Sequence, residues 1–188
     1  MDARILKKVR ALTNDLSKSD SENFTYSNSS IFTIIEGNAN LATKVEVNGV
    51  ELDEANWSYS STTNQVTITS SLSSGDIVEI YYTYYKRSDA TLEEHVRGAL
   101  VYLSLYSVEG ETDYELEDDD EIHPTPPNKT TDLIAIISAI LINPEYSEYK
   151  LPTITIKYPR TMIKEDRIEK LINRFGFSSG VSDVLEWN

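Results

Sequence analysis

TLEEHVRGALVYLSLYS, residues Thr91 to Ser107, is the stretch on which the reading of the fold turns. Leu92, Val96, Ala99, Leu100 and Leu103 recur at three- and four-residue spacings, which puts them on one stripe of a helix. Thr91 and Glu94 stand in the pattern of a capping box, where each side chain answers an orphaned backbone N–H at the helix start. A periodic apolar stripe reports packing, so this segment reads as a core helix without a catalytic role. Its second side carries Val101, Tyr102, Leu105 and Tyr106. That side is more apolar than a lone subunit needs, and it is expected to meet a neighbouring subunit.

Upstream the texture changes. From Phe24 to Lys86 the chain is rich in Thr, Tyr, Val, Ile and Ser, the composition of pleated, half-buried strands. Val45 and Val47 alternate with Lys44, Glu46 and Asn48, and Asn48-Gly49 tolerates the positive φ angles of a tight hairpin turn. The alternation continues through Trp57 and Tyr59, Val66 and Ile68, then Val78, Ile80 and Tyr82, giving about five strands. Ahead of these strands, Ile5, Leu6, Val9, Leu12 and Leu16 predict an amphipathic helix over Asp2 to Leu16. Its Lys7, Lys8 and Arg10 are expected to face solvent or a neighbouring subunit. Ser17 to Asn23, whose short polar side chains compete for backbone hydrogen bonds, reads as a turn.

Downstream, acidic residues crowd between Glu115 and Glu121, ahead of Pro124, Pro126 and Pro127; like charges repel, so this reads as a solvated loop. Thr130 or Thr131 is expected to cap a helix over Asp132 to Ile142. Its Leu133, Ile134, Ile136, Ile137, Ile140 and Leu141 cover too much of the circumference for a surface helix, so it should be the most buried one. Asn143-Pro144 ends it. Thr153 to Tyr158 alternates as a short strand, and Lys164 to Phe175 is a last amphipathic helix stopped by Gly176. The expected fold is α+β, a small bundle of about four helices with an inserted antiparallel β-module. Residues 1–22 and 88–175 would form the bundle and 23–87 the insert. The stretch 176–188 would be a tail that docks on a partner through Phe177, Val184, Leu185 and Trp187.

Composition excludes several functions. The 188 residues, 39% of them hydrophobic, suffice for a core. Against 17 basic residues stand 31 acidic ones, a net charge of -14, which argues against a surface that grips nucleic acid phosphates. There is no cysteine, hence no disulfide or thiolate metal site. The N-terminus lacks the apolar run and cleavage site of a signal peptide. Leu133 to Ile142 is about half of the roughly 20 residues that span a bilayer, so a soluble protein is expected.

His95 and His123 have no nucleophile elbow or zinc-protease spacing around them. No glycine-rich phosphate loop is present, and the acidic run lacks the spaced D-x-D-x-D-G of a calcium loop. No catalytic residue, cofactor or metal is expected, and the chain does not read as an enzyme.

The order helix, β insert, helix, acidic loop, buried helix, short strand, helix and tail resembles that of the head-tail connector proteins of tailed bacteriophages, also called adaptor, neck or head-completion proteins. TLEEHVRGALVYLSLYS, TDLIAIISAILI and KEDRIEKLINRF are similar to helices that pack together in that family's core. The stretch VEVNGVELDEANWSYSSTTNQVTITSSLSSGDIVEIYYTYY is similar to an insert of phage virion proteins.

The resemblance implies a structural virion protein in a ring of about twelve copies. It would sit at the virion neck under the portal protein and receive the next neck or tail protein, after assembly in the host cytoplasm. On that reading Glu117, Asp118, Asp119, Asp120 and Glu121 line the channel and repel phosphates. DNA then passes without being specifically bound, and no membrane is involved. A different class of function is a virion β-module that binds a host receptor or carbohydrate, stacking it on Trp57, Tyr59 and the Tyr81 to Tyr85 cluster.

Overall fold

The computed structural model describes residues 2–106, 113–117, 121–152 and 154–176. In chain order these form α1 (Ala3–Leu12), β1 (Lys18–Thr25), β2 (Ile31–Thr33), β3 (Ala39–Val47), β4 (Val50–Glu51), β5 (Trp57–Ser60), β6 (Gln65–Ile68) and β7 (Ile77–Tyr84). There follow α2 (Asp89–Tyr106), β8 (Glu115–Leu116), β9 (Ile122–His123), α3 (Asn128–Ile142), β10 (Glu148–Leu151), β11 (Ile154–Lys157) and α4 (Lys164–Phe175). The fold is α+β, with four helices and four antiparallel sheets among the described residues. Two compact units share the chain: Met1–Asn14 with everything from Asp89 onward, and Asp15–Ser88. The first boundary therefore falls at Asn14 and not near residue 22, because the polar segment read as a turn is strand β1 of the second unit.

The first unit is built around α3. Leu133, Ile134, Ile136, Ile137, Ala139 and Ile140 are buried around the whole circumference of that helix, and each aliphatic side chain removed from water contributes about 1.5–3 kcal/mol. Ile5, Val9 and Leu12 of α1, the Leu92–Leu103 stripe of α2, and Ile168, Leu171, Ile172 and Phe175 of α4 join the same core. Gly98 lets α2 come close to α3, since a Cβ there would stand 3.2 Å from Leu141 Cδ1.

Helix starts and stops differ in part from expectation. α1 ends at Leu12 because Asn14 takes a left-handed φ of 53°, and this leaves Leu16 62% exposed. Helix α2 starts at Asp89, which places Thr91 inside the first turn and not at the cap. α3 starts at Asn128 behind Pro127, so Thr131 is internal; its hydroxyl donates to the Asn128 carbonyl at 2.7 Å.

The basic residues of α1 do not simply face water. Lys8 Nζ donates to Thr131 Oγ1 at 2.8 Å and pairs with Asp132 at 2.7 Å, while Arg10 pairs with Asp89. At the other end of the unit, α4 closes on Gly176, whose φ of 84° lets its N–H reach the carbonyls of Asn173 and Ile172.

In the second unit, sheets ordered β1-β7-β3-β4 and β2-β6-β5 share one core that includes Phe32, Val45, Val66, Ile68, Val78, Ile80 and Tyr82. The seven strands outnumber the alternating runs legible in the sequence. β1 is polar, β2 has three residues and β4 has two. Asn48 and Gly49, at φ 51° and 78°, make the expected tight turn between Val47 and Val50.

On β1, Lys18, Asp20 and Glu22 stand opposite Tyr84, Tyr82 and Ile80 and so share their side of the sheet. Charged side chains on an edge strand discourage pairing with another chain. Glu22 also anchors the segment that follows β2, since its carboxylate accepts the N–H groups of Ile35 at 2.9 Å and Glu36 at 3.2 Å, together with the Tyr82 hydroxyl at 3.0 Å.

Candidate functional site

The first unit carries two outward features. One is a ridge on α2. Val101 and Leu105, one helical turn apart, are 59% and 72% exposed, and between Gly98 and Tyr106 the helix has no charged residue. A groove of about 370 Å³ runs beside the ridge, lined by Arg97, Val101, Ser104, Tyr114 and Leu116. Arg97 ties its wall, donating to the Leu116 carbonyl at 3.4 Å and pairing with Glu93 at 2.8 Å. The expectation that Val101, Tyr102, Leu105 and Tyr106 form one outward side is corrected in part. Tyr102 and Tyr106 are half-buried against the core, because they lie about 100° round the helix from Val101 and Leu105.

The other feature is a cleft of about 900 Å³ between the segment after α3 and the segment entering α4. Tyr146 and Ile163, 40% and 59% exposed, stand on its walls with Met162. Its floor is organised by Arg167. This side chain is only 2% exposed, yet no carboxylate is among its hydrogen-bond acceptors in the described residues. Its Nη1 donates to the carbonyls of Pro144 at 2.6 Å and Tyr146 at 2.8 Å. Its Nη2 donates to those of Arg160 at 3.3 Å and Pro159 at 3.5 Å.

One guanidinium thus bridges both walls, a geometry that the planar fork of arginine allows and an ammonium does not. Nε finds no partner among the described residues. Nearby, Tyr149 donates to the Asn143 carbonyl at 3.0 Å, and burial pushes its hydroxyl up to about 12. Charges around the cleft balance, with Glu145, Glu148 and Glu165 against Arg160, Lys164 and Arg167.

The remaining sequence candidates are scattered. Glu117 and Glu121 are exposed where β8 and β9 pair, with the Glu117 N–H donating to the Glu121 carbonyl at 3.1 Å. Asp118, Asp119 and Asp120 lie outside the described residues, as do Phe177, Val184, Leu185 and Trp187. The flanks of the acidic run are not a plain solvated loop, since Ile122 is buried in the core. His95 Nδ1 is 2.7 Å from the Thr91 carbonyl and is occupied as a donor to it.

In the second unit, Trp57, Tyr59, Tyr82 and Tyr84 pack on the core and do not form a free stacking face. Tyr59 donates to the Asn64 amide oxygen at 2.9 Å and Tyr81 to Glu46 at 3.3 Å, with Lys44 3.8 Å above the Tyr81 ring. The sequence reading missed the cleft altogether. A signal was present: Arg167 stands four residues before Leu171 and eight before Phe175, a cation on the buried stripe of α4.

Among the described residues no three His, Asp or Glu side chains converge to hold a metal ion, and no helix is long and apolar enough to cross a membrane. The candidate site is thus a pair of surfaces on the first unit, the ridge on α2 and the cleft before α4. No family model matches the chain, and no curated protein matches it.

Proposed function

We propose that the chain is a head-tail connector of a tailed bacteriophage, a structural protein forming a ring beneath the portal that joins capsid to tail and lets DNA pass. One observation carries the reading. On a chain of net charge -14, helix α2 keeps an uncharged ridge with Val101 and Leu105 outward. Water-exposed apolar side chains set in a row mark a contact surface. The helix order and the four-helix unit support the same reading. So do the exposed Glu117 and Glu121, which in a ring bore would repel phosphates and let the genome slide.

In this proposal the ring sits at the virion neck, between the portal protein and the next neck or tail protein. The segment 177–188, with Phe177, Val184, Leu185 and Trp187, docks on the portal or an adjacent subunit. Electron microscopy of the purified chain mixed with the portal protein of the same phage tests it. Rings and a joint complex are the expected result, and neither forming would sink the reading. Deleting 176–188 should leave far-ultraviolet circular dichroism unchanged and abolish assembly.

A further inference from the structure

We infer that the α2 ridge of one copy seats in the α3–α4 cleft of the next, with Val101 and Leu105 against Tyr146 and Ile163. This rests on the reading of the chain as a self-assembling ring. A ring of more than two copies needs two different surfaces on each subunit, because a single self-complementary patch closes as a dimer. The ridge and the cleft share no residue, and both belong to the same unit.

Charge decides where a second copy can approach. Two chains of net charge -14 repel over most of their surfaces. The approach costs least where one side is uncharged, as residues 98–106 are, and the other carries three charges of each sign.

The contact is one of side chains: α2 is packed on its own core through Val96, Leu100 and Leu103, so of its large apolar side chains only Val101 and Leu105, one turn apart, project from it towards a partner. The cleft is also held open in advance. Arg167 binds carbonyls of both walls, so little ordering remains to be done on binding.

The absence of native cysteine makes the test direct. Leu105→Cys, Ile163→Cys and the double variant are made in the full chain and oxidised at concentrations where light scattering shows the oligomer. The double variant should give a ladder of covalent multimers. An equal mixture of the two single variants should give covalent dimers and nothing larger. Val50→Cys, at a position 68% exposed on the other unit, paired with Ile163→Cys should give no ladder.

Leu105→Glu and Ile163→Glu, each with unchanged circular dichroism, should raise the concentration needed for assembly at least tenfold. Oligomers that form without the 105–163 link would overturn the inference while leaving the ring reading intact. So would linking of Ile163→Cys to Trp187→Cys in place of Leu105→Cys, which would make the tail the occupant. A chain that stays monomeric at every concentration, with and without portal protein, would overturn both.

Discussion

Arg167 donates from Nη1 to the carbonyl oxygen of Tyr146 at 2.8 Å, so a cation buried at the start of α4 fixes the most exposed tyrosine of the cleft. A buried charge without a facing carboxylate is costly unless dipoles surround it, and four carbonyls do so here. The residue is a clamp for two loops.

Replacing Arg167 with Met leaves those carbonyls without their donor and should lower the stability of the helical unit by about 2 to 4 kcal/mol. Arg167→Lys should recover less than half, since one ammonium cannot span both walls. Urea denaturation followed at 222 nm reports this unit. Tryptophan fluorescence does not serve, because its signal mixes Trp57 of the other unit with Trp187. Equal stability of Arg167→Met and the parent would show that the clamp is dispensable.

Tyr149 supplies a pH dependence. Burial holds its folded pKa at about 12, against the ordinary value of 10.0. A raised folded pKa means that the neutral form is the one stabilised, so this contribution is complete below pH 10 and is lost as pH rises towards 12. For a fully buried phenol the loss is on the order of 2 to 3 kcal/mol. Tyr149→Phe should be less stable at pH 7, lacking the bond to the Asn143 carbonyl, yet show a flatter decline between pH 10 and 12. Parallel declines for the two proteins would refute the assignment.

Asn64 separates backbone strain from side-chain bonding in the β-module. It sits at a φ of 56°, its amide nitrogen donates to the carbonyls of Ile34 at 2.7 Å and Glu36 at 2.8 Å, and its oxygen accepts from Tyr59. Asn64→Gly should remove the bonds alone and cost about 1 to 2 kcal/mol. Asn64→Ala adds the left-handed penalty and should cost about 1 kcal/mol more. Trp57 fluorescence during urea titration, read in a Trp187→Phe background, resolves the pair, and a more stable Ala variant would contradict the account.

Ile137 is fully buried at the middle of α3. Ile137→Ala should cost about 2 to 5 kcal/mol through the cavity it leaves. Ile137→Asp should unfold the unit, since an unpaired carboxylate cannot be solvated there. Cooperative folding of the Asp variant by circular dichroism would mean that α3 is not the centre of the core.

The helices were legible because their apolar residues keep a period that sheet or loop cannot imitate. Lys164 to Phe175 and its stop at Gly176 agree with expectation to the residue. Strand β1 was not legible: an edge strand that places Lys18, Asp20 and Glu22 opposite Tyr84, Tyr82 and Ile80 has no apolar alternation to show. Strand β10 was hidden for another reason, since four residues with Tyr149 and Leu151 inward are too few to establish a period. On the ridge, Val101 and Leu105 were readable as surplus apolar residues. The cleft depends on backbone carbonyls that only the folded chain brings round Arg167, and these leave no trace in a list of side chains.

The pairing of Lys18 with Tyr84 brings the start of the first strand and the end of the last strand of the β-module side by side, about 5 Å apart in an antiparallel ladder. A segment that leaves and rejoins its host at one point behaves as a cassette. It can be enlarged, exchanged or replaced by a short glycine bridge without asking α1 and α2 to find new places.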